Sequence, residues 1–382
     1  YGGLCHWVDQ QLAREDMLVE FIGALHDAIR EVDPRNPLSI QNTITYPAPN
    51  TGFDYWKLAG VFGNVGAYGH PMTLDVYRSA RRKGSRQSVY SGSYGVYCYE
   101  PYEAMEMYPW WSVFRQMNAL NYWYGVPWNH FPGVLAPDLG PLHGYGKALE
   151  GIGELKAGVA KLLLNAERQN DRVAVLYSQG SLNATAFLGG TNEATGIPPL
   201  PKPEQWSGVE AWSGGDDHVY MNSWEGLTNL LRDVGFGYGV VSDDCIKEGV
   251  LKREGTGMLV LPLGIRMDEM TAEAIREFVR EGGVVLADFA PGLFDGAMRP
   301  VRGGVLADVF GVQSASGLPQ VALEQVALAD GARDRLGETV EGLSSLGTWL
   351  SATDLTPAGA TVLARNGRGT PVLMLHEYGQ GK

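Results

Sequence analysis

The side chains best suited to chemistry in this sequence are acidic, aromatic and histidine residues in its first half. Glu100 and Glu103 lie in a tyrosine-rich segment that reads Tyr-Cys-Tyr-Glu-Pro-Tyr-Glu. Tyrosine hydroxyls can hold a carboxylate ionised and oriented through hydrogen bonds, so either glutamate could act as a nucleophile or bind a hydroxyl group of a substrate. The alternative is that both are solvated acids of a surface loop.

Further candidate residues follow apolar runs in the same half of the chain. His70, in Tyr-Gly-His-Pro, could hydrogen-bond a sugar hydroxyl as a neutral imidazole, or it could be a structural histidine. Trp123 and Trp128 could form the floor of a sugar site, because sugars stack their apolar faces on aromatic rings, or they could pack in a core. The remaining candidates for substrate binding are Asn42, Tyr46, Tyr94 and Asn129.

The elements that must position these residues alternate between helix and strand, roughly every 30 residues, as parallel βα units do. The predicted strands cover 38–44, 61–67, 87–94 and 121–126, and the predicted helices cover 17–32, 54–59, 73–82, 110–120 and 149–166. Residues that follow parallel strands meet at the carboxyl-terminal edge of the sheet, where sites are built. Four strands cannot close an eight-stranded barrel, so we expect either its second half or an open sheet. The abrupt start of the chain favours the half-barrel.

The alternation starts again at residue 171. Strands are predicted at 172–178, 239–241, 257–262 and 284–288, and helices at 224–234 and 271–282. This order predicts a flavodoxin-like open sheet of parallel strands over 171–294. A segment rich in Gly, Pro and Trp, 189–217, is long enough to suggest a functional or interface role. For 295–382 we predict only an edge hairpin, at 361–363 and 371–376.

Composition limits the possible partners and cofactors. The formal net charge of −13 argues against nucleic acid and anionic membranes, and no apolar run is long enough for a membrane helix. The 51 glycines, 10 tryptophans and 18 tyrosines suit a sugar-binding cleft with glycine-rich loops. The sequence has no P-loop and no HExxH, and its three cysteines are too scattered for a convincing zinc site. We therefore expect no cofactor and no metal.

The order of parts resembles the family 42 glycoside hydrolases: late strands of a (β/α)8 barrel, a long helix, and then a β-galactosidase trimerisation domain. The similarity lies in segments 171–178, 255–262, 281–286 with Asp288, and the closing turn 378–382, together with segments 54–57 and 63–68 of the first half. The resemblance implies two domains, a partial barrel at 1–170 and a flavodoxin-like, class I glutamine amidotransferase-like domain at 171–382. It also implies a homo-oligomer, most simply a trimer.

The family uses a retaining mechanism with two glutamates, which need carboxyl groups about 5–5.5 Å apart. Its acid/base lies in an Asn-Glu pair often followed by Tyr-Gly, so the resemblance places that glutamate immediately before Tyr1. Its nucleophile follows the seventh strand, which corresponds here to 88–94 and carries no carboxylate at that position. The nearest acids are Glu100 and Glu103, so the sequence departs from the family pattern at this position.

The leading hypothesis is therefore a fragment of a glycosidase that acts on β-galactosides or related glycosides, inactive as a fragment alone. One alternative is a carbohydrate-binding or assembly protein that kept the cleft and lost the nucleophile. An amidotransferase-like enzyme is disfavoured, because the turn at 262–266 lacks the required cysteine. A cytoplasmic location is favoured, although a signal peptide would not be observable in a chain cut at its start.

Overall fold

The computed structural model describes most of the chain. The described residues are 2–36, 38–41, 52–62, 64–68, 71–81, 85–91, 102–122, 135–141, 145–190, 219–289, 291–314, 321–337, 346–352 and 355–382. The chain forms two compact units: residues 14–169 make one, and residues 170–382 together with 1–13 make the other.

The unit at 14–169 is built on a parallel sheet. Its strands are β1 (Ser39–Gln41), β2 (Asn64–Tyr68), β3 (Arg86–Ser91) and β4 (Ala119–Tyr122), and they lie side by side in chain order. All three neighbouring pairs are parallel. The sequence prediction of parallel strands alternating with helices is confirmed, although β2 begins three residues later than predicted and β4 begins two residues earlier.

Helices precede, connect and follow these strands. They are α1 (Gly2–Val32), α2 (Tyr55–Val61), α3 (Pro71–Ala80), α4 (Tyr102–Phe114), α5 (Tyr145–Glu154) and α6 (Ala160–Asn165), with the π-helical turn Leu155–Val159 joining the last two. At the start of α2, the Asp54 carboxylate accepts a hydrogen bond from the backbone N–H of Lys57 at 3.0 Å, which satisfies an otherwise free donor of the first turn.

Three sequence predictions in this unit are wrong. The helix predicted at 17–32 begins at Gly2, and the one predicted at 110–120 covers Tyr102–Phe114, so Glu103 belongs to a helix rather than to the predicted loop. The apolar run at 110–120 contains the end of a helix and the start of a strand, separated by a turn in which Gln116 has a φ of 62°. The predicted helix 149–166 is interrupted at Gly158, whose φ of 140° is open to glycine but not to other residues.

Helix α3 contains a buried ion pair. A guanidinium nitrogen of Arg78 lies 2.9 Å from the Asp75 carboxylate, and the two side chains are only 6 % and 3 % exposed. Nearby, the rings of Tyr55 and Tyr77 pack with their centroids 5.5 Å apart, and both residues are fully buried. The packing around α3 therefore combines aromatic contacts with a buried ion pair.

The second unit contains another parallel sheet. Its strands are β5 (Val173–Tyr177), β6 (Tyr238–Ser242), β7 (Met258–Leu261) and β8 (Val284–Ala287), in the spatial order β6-β5-β7-β8. The connecting helices are α7 (Gln179–Gly190), α8 (Val219–Asp233), α9 (Asp243–Lys247), α10 (Val250–Arg253) and α11 (Glu269–Arg280). The predicted parallel pairing is confirmed. Helix α7 was not predicted, and Asp268 is the N-cap of α11, accepting from the N–H of Thr271.

Residues beyond 294 form two small antiparallel sheets. The elements are α12 (Ala307–Phe310), β9 (Val312–Ser314), β10 (Val321–Leu328), α13 (Ala332–Leu336), β11 (Gly347–Ala352), β12 (Leu355–Pro357), β13 (Thr361–Asn366) and β14 (Pro371–Leu375). One sheet has the order β11-β10-β13-β14, and β12 pairs with β9. The predicted hairpin is the β13–β14 pair and is confirmed. At the end of the chain, the carbonyl of Lys382 accepts from the N–H of Val285 in β8 at 2.9 Å.

The half-buried ring of His376 joins separate segments of this region. Its Nδ1 lies 2.8 Å from the carbonyl oxygen of Val309. The ring fills the space beside two glycines: a Cβ placed on Gly359 would lie 2.9 Å from the imidazole Nε2, and a Cβ on Gly311 would lie closer still to the ring. Side chains at either glycine are therefore excluded by the same imidazole.

Candidate functional site

The carboxyl-terminal edge of the first sheet is the candidate site. The register pairs Gln41 with Gly66, Tyr68 with Tyr90, and Ser91 with Tyr122, so the four strands end close to a common level. Neighbouring strands are about 4.8 Å apart, so the edge from β1 to β4 spans roughly 15 Å, the width of one or two sugar rings. Chain segments that leave these four ends start from one rim.

Three of the predicted site residues follow this rim within one or two positions. Asn42 comes after β1, His70 two residues after β2, and Trp123 immediately after β4. These three, together with Tyr46, Tyr94, Glu100, Trp128 and Asn129, lie outside the described residues. Glu103 is in the first turn of α4. Their convergence on one pocket stays a prediction.

An aromatic pair that the sequence reasoning missed lies at the rim. The rings of Tyr122, the last residue of β4, and Tyr145, the first of α5, meet edge to face with centroids 4.9 Å apart. Burial raises the pKa of both phenols, so both stay protonated at neutral pH. The buried hydroxyl of Tyr122 has no hydrogen-bond partner among the described residues. The only sequence signal was its place next to Trp123, at the end of a strand.

The second sheet has a polar carboxyl edge of its own, centred on Asp288 just after β8. This carboxylate accepts hydrogen bonds from the backbone N–H of Leu263 at 2.8 Å and of Phe289 at 2.7 Å, and from the hydroxyl of Ser223. Leu263 follows β7 with a φ of 40°, an uncommon conformation for a leucine, and its side chain is buried. Asp288 therefore stabilises a strained turn.

Asp243 lies at the same edge, in the first turn of α9 after β6. The hydroxyl of Ser178 donates to its carboxylate, and burial raises the pKa of Asp243 to about 6, against the opposing effects of that hydrogen bond and of Arg266. The N–H of Ser178 donates to the hydroxyl of Tyr220 at 2.8 Å, and Ser181 bonds both the N–H and the carbonyl of Arg266. These polar groups therefore hydrogen-bond to one another within the second unit.

This second edge does not resemble a working amidotransferase site. The residue in the left-handed position after β7 is Leu263, an apolar side chain where such an enzyme needs a nucleophilic cysteine. Cys245 lies elsewhere, in α9. Among the residues that the structure describes, no cluster of His, Cys, Asp and Glu could hold a metal ion. Nor is any helix in the described ranges both long and apolar enough to cross a membrane.

Comparison with known proteins identifies relatives by structure only. No protein-family model matches the chain, and no curated protein matches it. The chain is similar to solved β-galactosidases: one from Rahnella sp. R3, with a TM-score of 0.72, 16 % identity and coverage of 99 % of this chain and 55 % of that one. A family 42 β-galactosidase from G. stearothermophilus has a TM-score of 0.67 and 16 % identity, and the match covers 98 % of this chain and 54 % of that one.

A glycosidase of another specificity also matches. The exo-β-1,4-mannosidase of Opitutaceae bacterium strain TAV5 has a TM-score of 0.56 and 12 % identity, and the match covers 96 % of this chain and 64 % of that one. This chain therefore spans little more than half the length of the β-galactosidases. The resemblance inferred from sequence is confirmed at the level of fold: this chain has the fold of part of a family 42 β-galactosidase.

Proposed function

We propose that this chain is part of a glycoside hydrolase that acts on β-galactosides or related glycosides. The observation that carries the proposal is the shared rim of β1–β4, from which the segments with Asn42, His70 and Trp123 start. In parallel barrels this edge is where substrate is bound and cleaved. The fold similarity to β-galactosidases and a mannosidase supports the same class of reaction.

The mechanism we propose is retaining double displacement with two carboxylates. Glu100 is the first candidate for the nucleophile and Glu103 the second, since both follow β3. The acid/base would belong to the strand that precedes α1, outside this sequence. Trp123 and Trp128 would form the floor of the sugar site by stacking on sugar faces, and His70, Tyr94, Asn42 and Asn129 would bind sugar hydroxyls.

Tyr122 adds a donor to this proposed site. Its phenol is protonated at neutral pH, since burial raises its pKa further above the usual value, and its buried hydroxyl has no partner among the described residues. A buried hydroxyl gains from a partner, and a sugar oxygen could supply one. The Tyr122→Phe substitution keeps the ring contact with Tyr145 and removes only this donor, so it tests the hydroxyl alone.

The second unit would have an assembly role. We infer a flavodoxin-like domain over 171–382, because β6-β5-β7-β8 matches the first four positions of the flavodoxin order. The carboxylates of Asp288 and Asp243 at its polar edge accept hydrogen bonds from neighbouring groups, which fits a structural domain. Leu230, Val234 and Phe236 form an exposed apolar group at the end of α8, and such groups favour a homo-oligomer, a trimer by resemblance.

The test is hydrolysis of a nitrophenyl β-galactoside by the full protein that contains this sequence. Glu100→Ala should lower kcat by several orders of magnitude while sugar binding survives, because a covalent step is lost and the aromatic floor is kept. Glu103→Ala is the matched control, and the larger loss identifies the nucleophile. Sugar binding without turnover in the unaltered protein would instead favour the non-catalytic carbohydrate-binding alternative.

A further inference from the structure

An open cleft lies in the second unit, between strand β12 and the hairpin formed by β13 and β14. Its volume is about 310 Å³, at the small end of the roughly 300–1,000 Å³ that ligand pockets occupy. We call this space the hairpin cleft. Strand β12 lines one side and the hairpin lines the other, and the lining residues that matter for binding are Leu355, Thr356, Pro357, Arg365 and Arg368.

The turn of the hairpin is fixed by a buried asparagine. Asn366 is 6 % exposed, and its side-chain oxygen accepts from the backbone N–H groups of Arg368 at 3.1 Å and Thr370 at 2.9 Å. The backbone N–H of Asn366 donates to the carbonyl of Thr370 at 3.0 Å, and Gly369 has a φ of 82°, a conformation that favours glycine. The backbone that carries both arginines of the cleft is therefore set before any ligand binds.

The pairing of the two hairpin strands turns Arg365 outward. The register of β13 against β14 shifts at Ala364, as in a β-bulge, and a bulge re-aims the side chains beside it. Leu363 and Ala364 are buried in succession, and Arg365 is exposed. The Arg365 guanidinium donates to the carbonyl of Gly369 at 2.7 Å, which holds it at the cleft.

Arg368 is held at the cleft by an acid from a neighbouring strand. Its guanidinium pairs with Oε1 of Glu324, whose side chain is 15 % exposed. The buried Oε2 of Glu324 has no hydrogen-bond partner among the described residues, so Arg368 contacts one carboxylate oxygen only. Because a guanidinium carries five N–H donors, both arginines keep donors for a further acceptor.

The charge of the cleft favours an anion. Its lining contains two arginines and no acidic residue. Among the ion pairs of the described residues, Glu324 is the one carboxylate that pairs with either arginine, so one positive charge is left unbalanced. This local charge is opposite to the formal net charge of the chain, −13. Guanidinium groups match the oxygen spacing of carboxylate, sulfate and phosphate groups.

We propose that the hairpin cleft binds a sugar that carries an anionic group, with the anionic oxygens between Arg365 and Arg368. The hydroxyl of Thr356 and the apolar surfaces of Leu355 and Pro357 suit the hydroxyl groups and the C–H faces of a sugar ring. The small volume favours a monosaccharide. This binding site is additional to the hydrolysis proposed for the first unit and does not depend on it.

The test is calorimetric titration of the full protein that contains this sequence with glucuronate, glucose 6-sulfate and glucose 6-phosphate, and with glucose as the neutral control. At least one of the anionic sugars should bind about tenfold more tightly than glucose, since one charge-assisted hydrogen bond is worth about that factor. The tightest of the three identifies the anionic group. Added salt should weaken this binding and leave that of glucose unchanged.

Arg365→Gln should weaken binding of the anionic sugar about tenfold without changing the temperature of unfolding. Binding at any other place survives in this variant, so the difference reports the hairpin cleft. Arg335→Gln is the matched control: it removes an exposed arginine of α13 that lies 3.5 Å from Glu377, outside the cleft, and should keep full affinity. If Arg365→Gln unfolds at a lower temperature, Arg365→Lys replaces it; this variant keeps the charge but loses the planar fork, and it should also bind more weakly.

Equal affinity for glucose and for all three anionic sugars would overturn the proposal, as would an equal loss of affinity in Arg335→Gln. Inorganic phosphate that binds as tightly as glucose 6-phosphate would overturn the assignment to a sugar. Hydrolysis of the nitrophenyl β-galactoside should be the same in Arg365→Gln and in the unaltered protein. An unaltered protein that fails to hydrolyse it but binds an anionic sugar through Arg365 would support this inference and remove only the proposed activity.

Discussion

Replacing Asp243 by asparagine should stabilise the second unit at neutral pH and leave its stability unchanged in acid. Burial raises the pKa of this carboxyl from 3.8 to about 6, so the folded protein prefers the protonated, uncharged form. The unfolded chain has no such preference. Between these two pKa values the folded state therefore binds a proton that the unfolded state has lost, and stability falls as the pH rises.

The size of the effect follows from the difference between the two pKa values. About two pH units correspond to about 3 kcal/mol at most, since one unit is worth about 1.4 kcal/mol. Part of the Asp243 surface reaches solvent, which relaxes the penalty, so we expect about 1–2 kcal/mol. Asparagine keeps the side-chain oxygen that accepts from Ser178 and carries no charge at any pH.

The assay is urea unfolding of the second unit at pH 4, 5, 6 and 7.5. The Asp243→Asn variant should have the same free energy of unfolding as the unaltered protein at pH 4. The difference in favour of the variant should increase through pH 5 and 6 and be complete above pH 7. Asp244→Asn is the matched control: it removes the same charge from the next residue, whose exposed carboxylate lies 2.7 Å from the amine of Lys247. That variant should lose a few tenths of a kcal/mol, the worth of an exposed pair.

Three results would refute this reasoning. If Asp243→Asn is less stable than the unaltered protein at pH 7.5, the charged carboxylate is stabilised in the folded state and burial does not dominate. If its advantage is the same at pH 4 as at pH 7.5, the gain has a cause other than titration of Asp243. Parallel curves for Asp243→Asn and Asp244→Asn would attribute it to net charge alone.

Three further predictions concern the first unit. Gln87→Leu should raise its stability by about 1–2 kcal/mol, because the buried side-chain amide has no described partner, and a loss in urea unfolding would contradict this. Arg78→Ala should lower the free energy of unfolding by about 3–5 kcal/mol, since it leaves Asp75 charged and buried; a loss below 1 kcal/mol would show that the pair is dispensable. In the full protein, Trp123→Ala should weaken sugar binding by about 1–3 kcal/mol in calorimetry, and unchanged affinity would remove Trp123 from the site.

Local signals in the sequence were enough for the regular elements. The apolar runs of β5 and β7 predict buried parallel strands. The prediction of a single helix at 110–120 is wrong because this segment is rich in apolar residues from end to end. The 3.6-residue period cannot separate the end of a helix from the start of a strand in such a segment. Helix α1 begins earlier than predicted because its first half includes buried polar residues such as Gln11, which weaken the apolar pattern.

Long-range contacts could not be predicted. The Tyr122–Tyr145 pair depends on how β4 and α5 meet, and the order β11-β10-β13-β14 places strands side by side that are not consecutive. The pairing of Asp75 with Arg78 has helical spacing, but its burial depends on what packs around α3. For the candidate site, the sequence indicates which residue types follow each strand. That the strands end at a common rim depends on their parallel register, which only the structure gives.

The imidazole of His376 packs against both Gly311 and Gly359. The residue types tolerated at these three positions, which are far apart in sequence, therefore depend on one another. A methyl group at either glycine must displace the same ring. Once one substitution has moved the ring, the second substitution meets a smaller steric penalty. The steric effects of the two changes should then be less than additive, while the strain from their positive φ values, 58° and 115°, remains independent. Relatives with a small residue in place of His376 should accordingly accept alanine or serine beside it more readily, and variation at these sites should be correlated.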